Sequence, residues 1–250
     1  MNGRGREKPR LDQLLVDRGL VESRAKAQAL VMAGKVFSGE TKLEKSGSRV
    51  DPEIELEVRG APHPWVSRGG LKLAHGIEHF GIDFTGAVVI DVGSSTGGFT
   101  DVALTNGARR VYAVDVGKGQ LAWKLRTDER VVLLEGVNAR TLTEAQIPEP
   151  ADIVVCDASF IGLEVVLPAA LALARPGGHL LALIKPQFEV GKGRVGKGGI
   201  VRDPDLRDEV VARIRDWLAT VMGWSVIGVT ESPITGADGN VEYLIGAVKT

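Results

Sequence analysis

Two rhythms of apolar and polar positions divide the chain. Near the N-terminus the apolar residues recur at helical spacing. Leu11, Leu14 and Leu15 share one side of RLDQLLVDRGL, which Gly19 closes. Ala27, Leu30 and Val31 form the stripe of ESRAKAQALVMAGKV, with Ser23 as its N-cap and Gly34 as its stop. Short strand candidates, KVF and EIELEV, follow on either side of a polar turn region that starts at Ser38-Gly39. The prolines and glycine of RGAPHPW then interrupt the pattern. Beyond them AVVIDVG, RVYAVDVG, VVLLEG, DIVVCD and HLLALIKP are short apolar runs with helical segments or loops between them. That alternation predicts a parallel, doubly wound sheet covered on both faces. DPDLRDEVVARIRDWLATVMG predicts a helix capped by Asp203, with Pro204 at its first position and Leu206, Val210, Ile214, Trp217 and Val221 as its stripe. WSVIGVTES and VEYLIGAVK lie close enough in sequence to pair antiparallel. The expected organisation is a basic tail over 1–9, a small α+β unit over 10–59, a linker over 60–66 and an α/β domain over 67–250.

Composition narrows the class. With 44% hydrophobic and 25% charged residues the 250-residue chain reads as a soluble globular protein. Cys156 is the one cysteine, so no internal disulfide can form, and its place in DIVVCD reads as core packing. No apolar run approaches the ~18–20 residues that span a bilayer; Val165 to Ala174 is broken by Pro168. The basic start MNGRGREKPR has no hydrophobic segment behind it, so no secretory signal is read and a cytoplasmic location is expected. His63, His75, His79 and His179 are scattered, and no metal is expected. Net charge is −1, but residues 1–50 hold eleven Lys/Arg against six Asp/Glu, and the remainder 20 against 26. The N-terminal part is either electrostatically specialised or simply a solvated basic face.

Arg24 and Lys26 occupy the first turn of the second helix, where the macrodipole disfavours cations. Free amides and two cations at a helix start suit a phosphate; two merely solvated side chains are the alternative. Arg10, Arg18, Lys35, Lys42 and Lys45 are near in sequence. RLDQLL, GLVESRAKAQALVMAGKV and RVDPEIELEV resemble the S4 RNA-binding domain over roughly residues 10–58, with Ser38-Gly39 replacing the usual Asn-Gly of its hairpin. The resemblance implies recognition of structured RNA through shape and phosphates.

VVIDVGSSTGGFTDVAL reads as strand, glycine turn and helix, where backbone can approach a ligand closely. Gly93, Gly97 and Gly98 miss the G-x-G-x-x-G spacing, which argues against a nicotinamide enzyme. Asp115 ends the next strand, 24 residues past Asp91, where a carboxylate can accept hydrogen bonds from two ribose hydroxyls. Asn138 follows the third strand in EGVNAR. The turn resembles that of S-adenosylmethionine-dependent methyltransferases, and D-x-G-x-x-x-G-G that of FtsJ-like RNA methyltransferases. The resemblance implies a Rossmann-like methyltransferase fold. S-adenosylmethionine would then lie against Asp91, Gly93, Ser94, Ser95, Gly97, Gly98, Phe99, Asp115, Asn138 and Asp157.

Lys185 stands at the mouth of an apolar strand, a costly place for an ammonium unless something compensates it. Asp157 ends the preceding strand, so both should project to the same rim. Glu242 opens the last strand, and Lys72 lies in the glycine-led helix start SRGGLKLAHGI. Each alone has a plain explanation as a surface lysine, a cap or an edge-strand acid. Together they resemble the Lys-Asp-Lys-Glu tetrad of FtsJ-like 2′-O-ribose methyltransferases. WVSRGGLKL, DVGSSTGGFTD, CDASFI, LIKPQFEVGKG and GNVEYL stand in the order seen in the TlyA family of S4-containing rRNA methyltransferases, also labelled haemolysins. This resemblance covers nearly the whole chain. It implies methyl transfer to the 2′-hydroxyl of cytidine in ribosomal RNA of either or both subunits, with Lys72, Asp157, Lys185 and Glu242 as the tetrad. Arg68, and Lys192, Arg194 and Lys197 of the glycine-rich loop EVGKGRVGKGGIVRDP, are further candidate RNA contacts; that loop reads as a lid or as plain surface. Phe188 reads as a pocket wall. Three other readings remain: a non-catalytic RNA-binding assembly factor, a membrane-active haemolysin, and a base methyltransferase. The candidate helices are too short or too charged for insertion. DASF lacks the paired prolines of many enzymes that methylate exocyclic nitrogens.

Overall fold

The computed structural model describes residues 8–18, 20–21, 23–58, 63–191, 193–236 and 239–250. Most of the expected basic tail, together with Gly19, Lys192 and the first part of the linker, lies outside them.

In the N-terminal unit, α1 (Leu11–Asp17) packs on α2 (Arg24–Met32), and β1 (Val36–Ser38) pairs with both β2 (Thr41–Lys42) and β3 (Glu57–Val58). The Ser23 side chain accepts from the Lys26 amide, and Gly34 turns out of the helix at φ 65°. Leu11, Leu15, Val21, Ala27, Val31 and Val36 form its core, with Leu30 only partly covered. EIELEV is strand over its last two residues only.

The larger unit is a seven-stranded sheet. Its strands are β4 (Val88–Val92), β5 (Arg110–Asp115), β6 (Val131–Glu135), β7 (Ala151–Cys156), β8 (Ala174–Ile184), β9 (Trp224–Glu231) and β10 (Tyr243–Lys249). They lie in the order β6-β5-β4-β7-β8-β10-β9; the first five are parallel, and β10 runs antiparallel between β8 and β9. The chain builds outward from β4 to β6 and then returns to β7. The β4/β7 boundary is therefore the switch point, where strand ends diverge and open a crevice.

Period-two geometry explains the continuous apolar runs. Val88, Ile90 and Val92 enter one core and Val89 the other; Leu180, Ala182 and Ile184 likewise oppose Leu181 and Leu183. On the second face lie α3 (Gly69–Phe80), α4 (Gly98–Thr105) and α5 (Trp123–Arg126), supplying Leu73, Val102 and Leu125. On the first lie α6 (Leu163–Val166), α7 (Pro168–Ala172) and α9 (Pro204–Thr220), while the single turn α8 (Pro186–Glu189) follows β8. Asp203 caps α9 by accepting from the Asp205 amide. Its buried stripe is Val210, Ile214, Trp217 and Leu218; Val221, expected inside, is exposed because the helix ends at Thr220.

Two close approaches set up the site. The Phe80 ring lies over Gly246 of β10, where a Cβ would stand 3.0 Å away, so α3 settles onto the sheet with Lys72 inward. Trp65 and Val66, assigned to the linker from sequence, pack on this unit: Trp65 covers Gly70, and the Val66 amide donates to Asp101 Oδ2 at 2.9 Å.

Candidate active site

The loops after β4 and β7 meet at the switch point. Gly93, φ 79°, follows β4; a Cβ there would come within 2.8 Å of Ala158 Cα, just past β7. Gly97 at φ 97° then turns the chain into α4. Glycine is required at both places by the sign of φ, and at Gly93 by backbone contact as well.

Two adjoining cavities open there. The larger, ≈ 510 Å³, has Asp115, Gln120, Asn138 and Arg140 among apolar walls of Val92, Val114, Val116, Val137, Ile161 and Val166. The smaller, ≈ 260 Å³, contains Lys72, Lys185, Glu242, Arg68, Gln187 and Phe188, with Ser94, Gly98 and Phe99 along its glycine-turn side. Gly93, Ser95, Asp157, Ser159 and Phe160 border both. In the larger one Asp115 is preset: Oδ2 accepts from the Ser95 amide at 2.8 Å and Oδ1 from the Gly117 amide at 2.7 Å. A carboxylate so pinned keeps lone pairs for two further donors. Asn138 Oδ1 takes the Arg140 amide at 3.1 Å, which fixes the side chain's orientation.

The smaller cavity holds a chain of alternating charges. Glu242 Oε2 lies 2.6 Å from Lys72 Nζ, Lys72 Nζ lies 3.8 Å from Asp157 Oδ1, and Asp157 Oδ1 lies 2.7 Å from Lys185 Nζ. Lys185 also donates to Asp157 O at 3.0 Å and Ser159 Oγ at 2.9 Å, and Gln187 Nε2 to Glu242 Oε1 at 3.3 Å. The lysine side chains are 7% exposed, that of Glu242 3% and that of Asp157 21%. Unpaired, each such ion would cost several kcal/mol, roughly, to bury; alternation of sign is what lets all four remain. Asp157 Oδ1 is sealed among the lysines, so the exposed part of this carboxylate is Oδ2. Four elements supply the chain: α3, the end of β7, the end of β8 and the start of β10.

Not every expected contact is placed where the sequence reading put it. Asp91 lies beneath the glycine turn and borders neither cavity; it is fully buried, accepts from Thr100 Oγ1 at 2.6 Å, and burial pushes its carboxyl up to about 7. Gly97 shapes the turn without lining a cavity. Arg18 is buried, its guanidinium given to the Ile54 and Pro52 carbonyls, so it is not an outward cation. Arg10 and Arg24 converge on the buried Asp12 at 2.9 and 3.3 Å but stay half exposed. That pairing, Arg10 foremost, holds the Asp12 carboxyl below the carboxylate range. Lys26, Lys35 and Lys197 are exposed, while Arg194 is paired twice to Glu209, at 2.7 and 2.6 Å. Lys192 lies outside the described residues. Among those described, no group of three or more His, Cys, Asp or Glu is placed to hold a metal, and no helix is long and apolar enough to cross a membrane. Cys156 is wholly buried, and desolvation pushes its thiol up to about 12.

Several site residues escaped the sequence reading. Ser159 and Phe160 follow Asp157 by two and three positions; Phe160 sits at φ 65° with its ring 5.0 Å from that of Phe188. A polar residue just past a strand-end aspartate was the available signal for Ser159. Glu189 had none. Its Oε1 takes the Leu163 amide at 2.7 Å and its Oε2 takes Arg213 of α9 at 2.9 Å, so it ties the Phe160 loop to the Phe188 turn. Arg213 also pairs with Glu164.

Comparison with known proteins agrees with this geometry. Residues 65–249 match the FtsJ-like methyltransferase family and residues 9–55 the S4 domain. YqxC of Bacillus subtilis, provisionally described as an rRNA methyltransferase, is 50% identical over 96% of this chain and 85% of its own length. The 16S/23S rRNA (cytidine-2′-O)-methyltransferase TlyA of Mycobacterium tuberculosis is 47% identical over 94% and 88%. A solved structure from Streptococcus thermophilus, provisionally described as a hemolysin, is 41% identical, covers 98% of this chain and 90% of its own, and superposes with a TM-score of 0.74.

Proposed function

Because the chain belongs to the FtsJ-like methyltransferase family and carries an S4 domain, we propose that the two cavities form one reaction site for S-adenosylmethionine and a ribose. The chain is an rRNA methyltransferase acting on the 2′-hydroxyl of cytidine, the activity named for its TlyA relatives. The observation that carries the residue assignment is the Glu242–Lys72–Asp157–Lys185 line of charges at the junction of the cavities.

The larger cavity fits the cofactor's nucleoside: Asp115 for ribose hydroxyls, Asn138 for the adenine edge, valine and isoleucine walls for its faces. The glycine turn leaves the methionine part room against Gly93, Ser94, Ser95, Gly98 and Phe99, in the smaller cavity beside the lysines. When bound, S-adenosylmethionine supplies an electrophilic methyl group on a sulfonium. The protein must align the sugar oxygen with it and manage the proton. Lys185, with three acceptors around its amine, is arranged as a charged donor able to stabilise negative charge developing on the 2′-oxygen. The O–H bond breaks as the O–C bond forms, and Asp157 Oδ2, open to the cavity, is the carboxylate placed to receive the proton. Lys72 and Glu242 hold Asp157 in that pose. Phe160 and Phe188 wall the mouth as apolar surfaces for a base. Arg68, Lys197 and the exposed cations of the N-terminal unit would meet RNA phosphates in the cytoplasm.

The test is methylation of purified 30S and 50S subunits with labelled cofactor, followed by nucleoside mapping. The expected product is 2′-O-methylcytidine; label on a base, or none, overturns the reading.

A further inference from the structure

Lys185 has three oxygens within 3.0 Å of its amine: it donates hydrogen bonds to Asp157 O and Ser159 Oγ and forms an ion pair with Asp157 Oδ1. Two of these partners are interior. Asp157 O belongs to the backbone at the end of β7, and Asp157 Oδ1 is sealed from solvent. Ser159 alone of the three is exposed, and it borders both cavities. Among the described residues its hydroxyl accepts from Lys185 and has no acceptor for its own hydrogen. Of the two hydrogen bonds that Lys185 donates, the one to Ser159 is therefore the one that a substrate oxygen in the cavities can take over.

We propose that Ser159 is a positioning residue of the reaction centre that acts through Lys185: its hydroxyl aims one ammonium hydrogen at the junction of the cavities and yields it to the ribose 2′-oxygen. The inference rests on the methyl-transfer reading above. No covalent bond changes in the exchange; one oxygen acceptor replaces another, and the serine hydroxyl rotates away. Without it the ammonium keeps only its two inner partners and is drawn toward Asp157, away from the line of transfer.

The experiment compares Ser159→Ala and Ser159→Thr with the unaltered enzyme on ribosomal subunits, in single-turnover transfer and in calorimetric binding of cofactor. Ser159→Ala should slow transfer about tenfold, the size of one charge-assisted hydrogen bond, with KM for RNA and Kd for cofactor unchanged. Ser159→Thr, which keeps the hydroxyl, should restore the rate. In a Lys185→Met background, the added Ser159→Ala change should have no further effect on the residual rate. Wild-type transfer by Ser159→Ala, an equal loss in both backgrounds, or a loss explained by weaker cofactor binding would overturn the proposal. An unaltered enzyme that methylates no ribose would instead sink the functional reading.

Discussion

At the scale of single residues, the site spends two kinds of buried charge differently. Lys185 donates to Asp157 O and Ser159 Oγ and pairs with Asp157 Oδ1, so its removal takes away both stabilisation of the reacting oxygen and the nearest cation of Asp157. Lys185→Ala should lower kcat by roughly 10²–10³-fold with cofactor affinity intact, checked by single-turnover transfer beside calorimetry. Asp91 is the opposite case: fully buried, with Oδ1 unpartnered and only Thr100 to offset desolvation. Its folded value of about 7 lies above the ~3.9 of an exposed aspartate. The native state therefore keeps a proton that the unfolded chain releases. This group's contribution is greatest at low pH and is lost as pH rises toward 7. Asp91→Asn removes that dependence. Relative to the parent it should gain about 2 kcal/mol between roughly pH 5.5 and 8, measured as the difference of two denaturation series in which all other titrations cancel.

At the scale of elements, what the sequence disclosed followed from periodicity. The strands that carry Gly93, Asp115, Asp157 and Lys185 are apolar on both faces, and their carboxyl ends must share one rim. The insertion of β10 between β8 and β9 was not legible beyond an antiparallel pairing, yet it is what brings Glu242 to Lys72. Nor could charge pattern reveal direction: Arg18 turns inward to carbonyls, and Arg194 of the basic glycine-rich loop turns outward to Glu209. The clamp of Glu189, Arg213 and Glu164 was invisible because its members come from three elements far apart in the chain. Glu189 is 3% exposed, and desolvation raises its carboxyl above the ordinary range despite Arg213. Arg213→Ala would leave that carboxylate without its cation while Arg213 itself is 39% exposed. Discounted for that solvent screening, the loss should be about 2 kcal/mol and roughly 5 °C in Tm. The clamp joins the Phe160 and Phe188 segments, so KM for RNA should rise several-fold while cofactor Kd holds. An equal weakening of both would show a general structural loss instead.

At the scale of the whole molecule, binding and chemistry are divided between two units. Residues 1–50 carry a surplus of five Lys/Arg and the remainder a deficit of six, but the S4 match over 9–55 is balanced at eight against eight. Its hold on RNA therefore depends on which cations face outward, while the methyltransferase unit contributes the reacting groups. Within the S4 unit only some of the cations face outward. Arg10 and Arg24 pair in part with Asp12 and Arg18 with backbone; Lys26 in the first turn of α2 and Lys35, three residues past its end, are exposed. Phosphate contacts release counterions, so each one lost flattens the dependence of log affinity on log salt by about 0.7–0.9. A Lys26→Glu, Lys35→Glu variant should raise KM for ribosomal subunits at moderate salt and reduce the slope of log kcat/KM against log salt by up to about 1.5. Neither charge lies in the cavities, so kcat at saturating substrate and cofactor Kd should not move. Parallel slopes for parent and variant would place the RNA elsewhere on the surface and leave the line of four charges untouched, because the two units answer to different measurements.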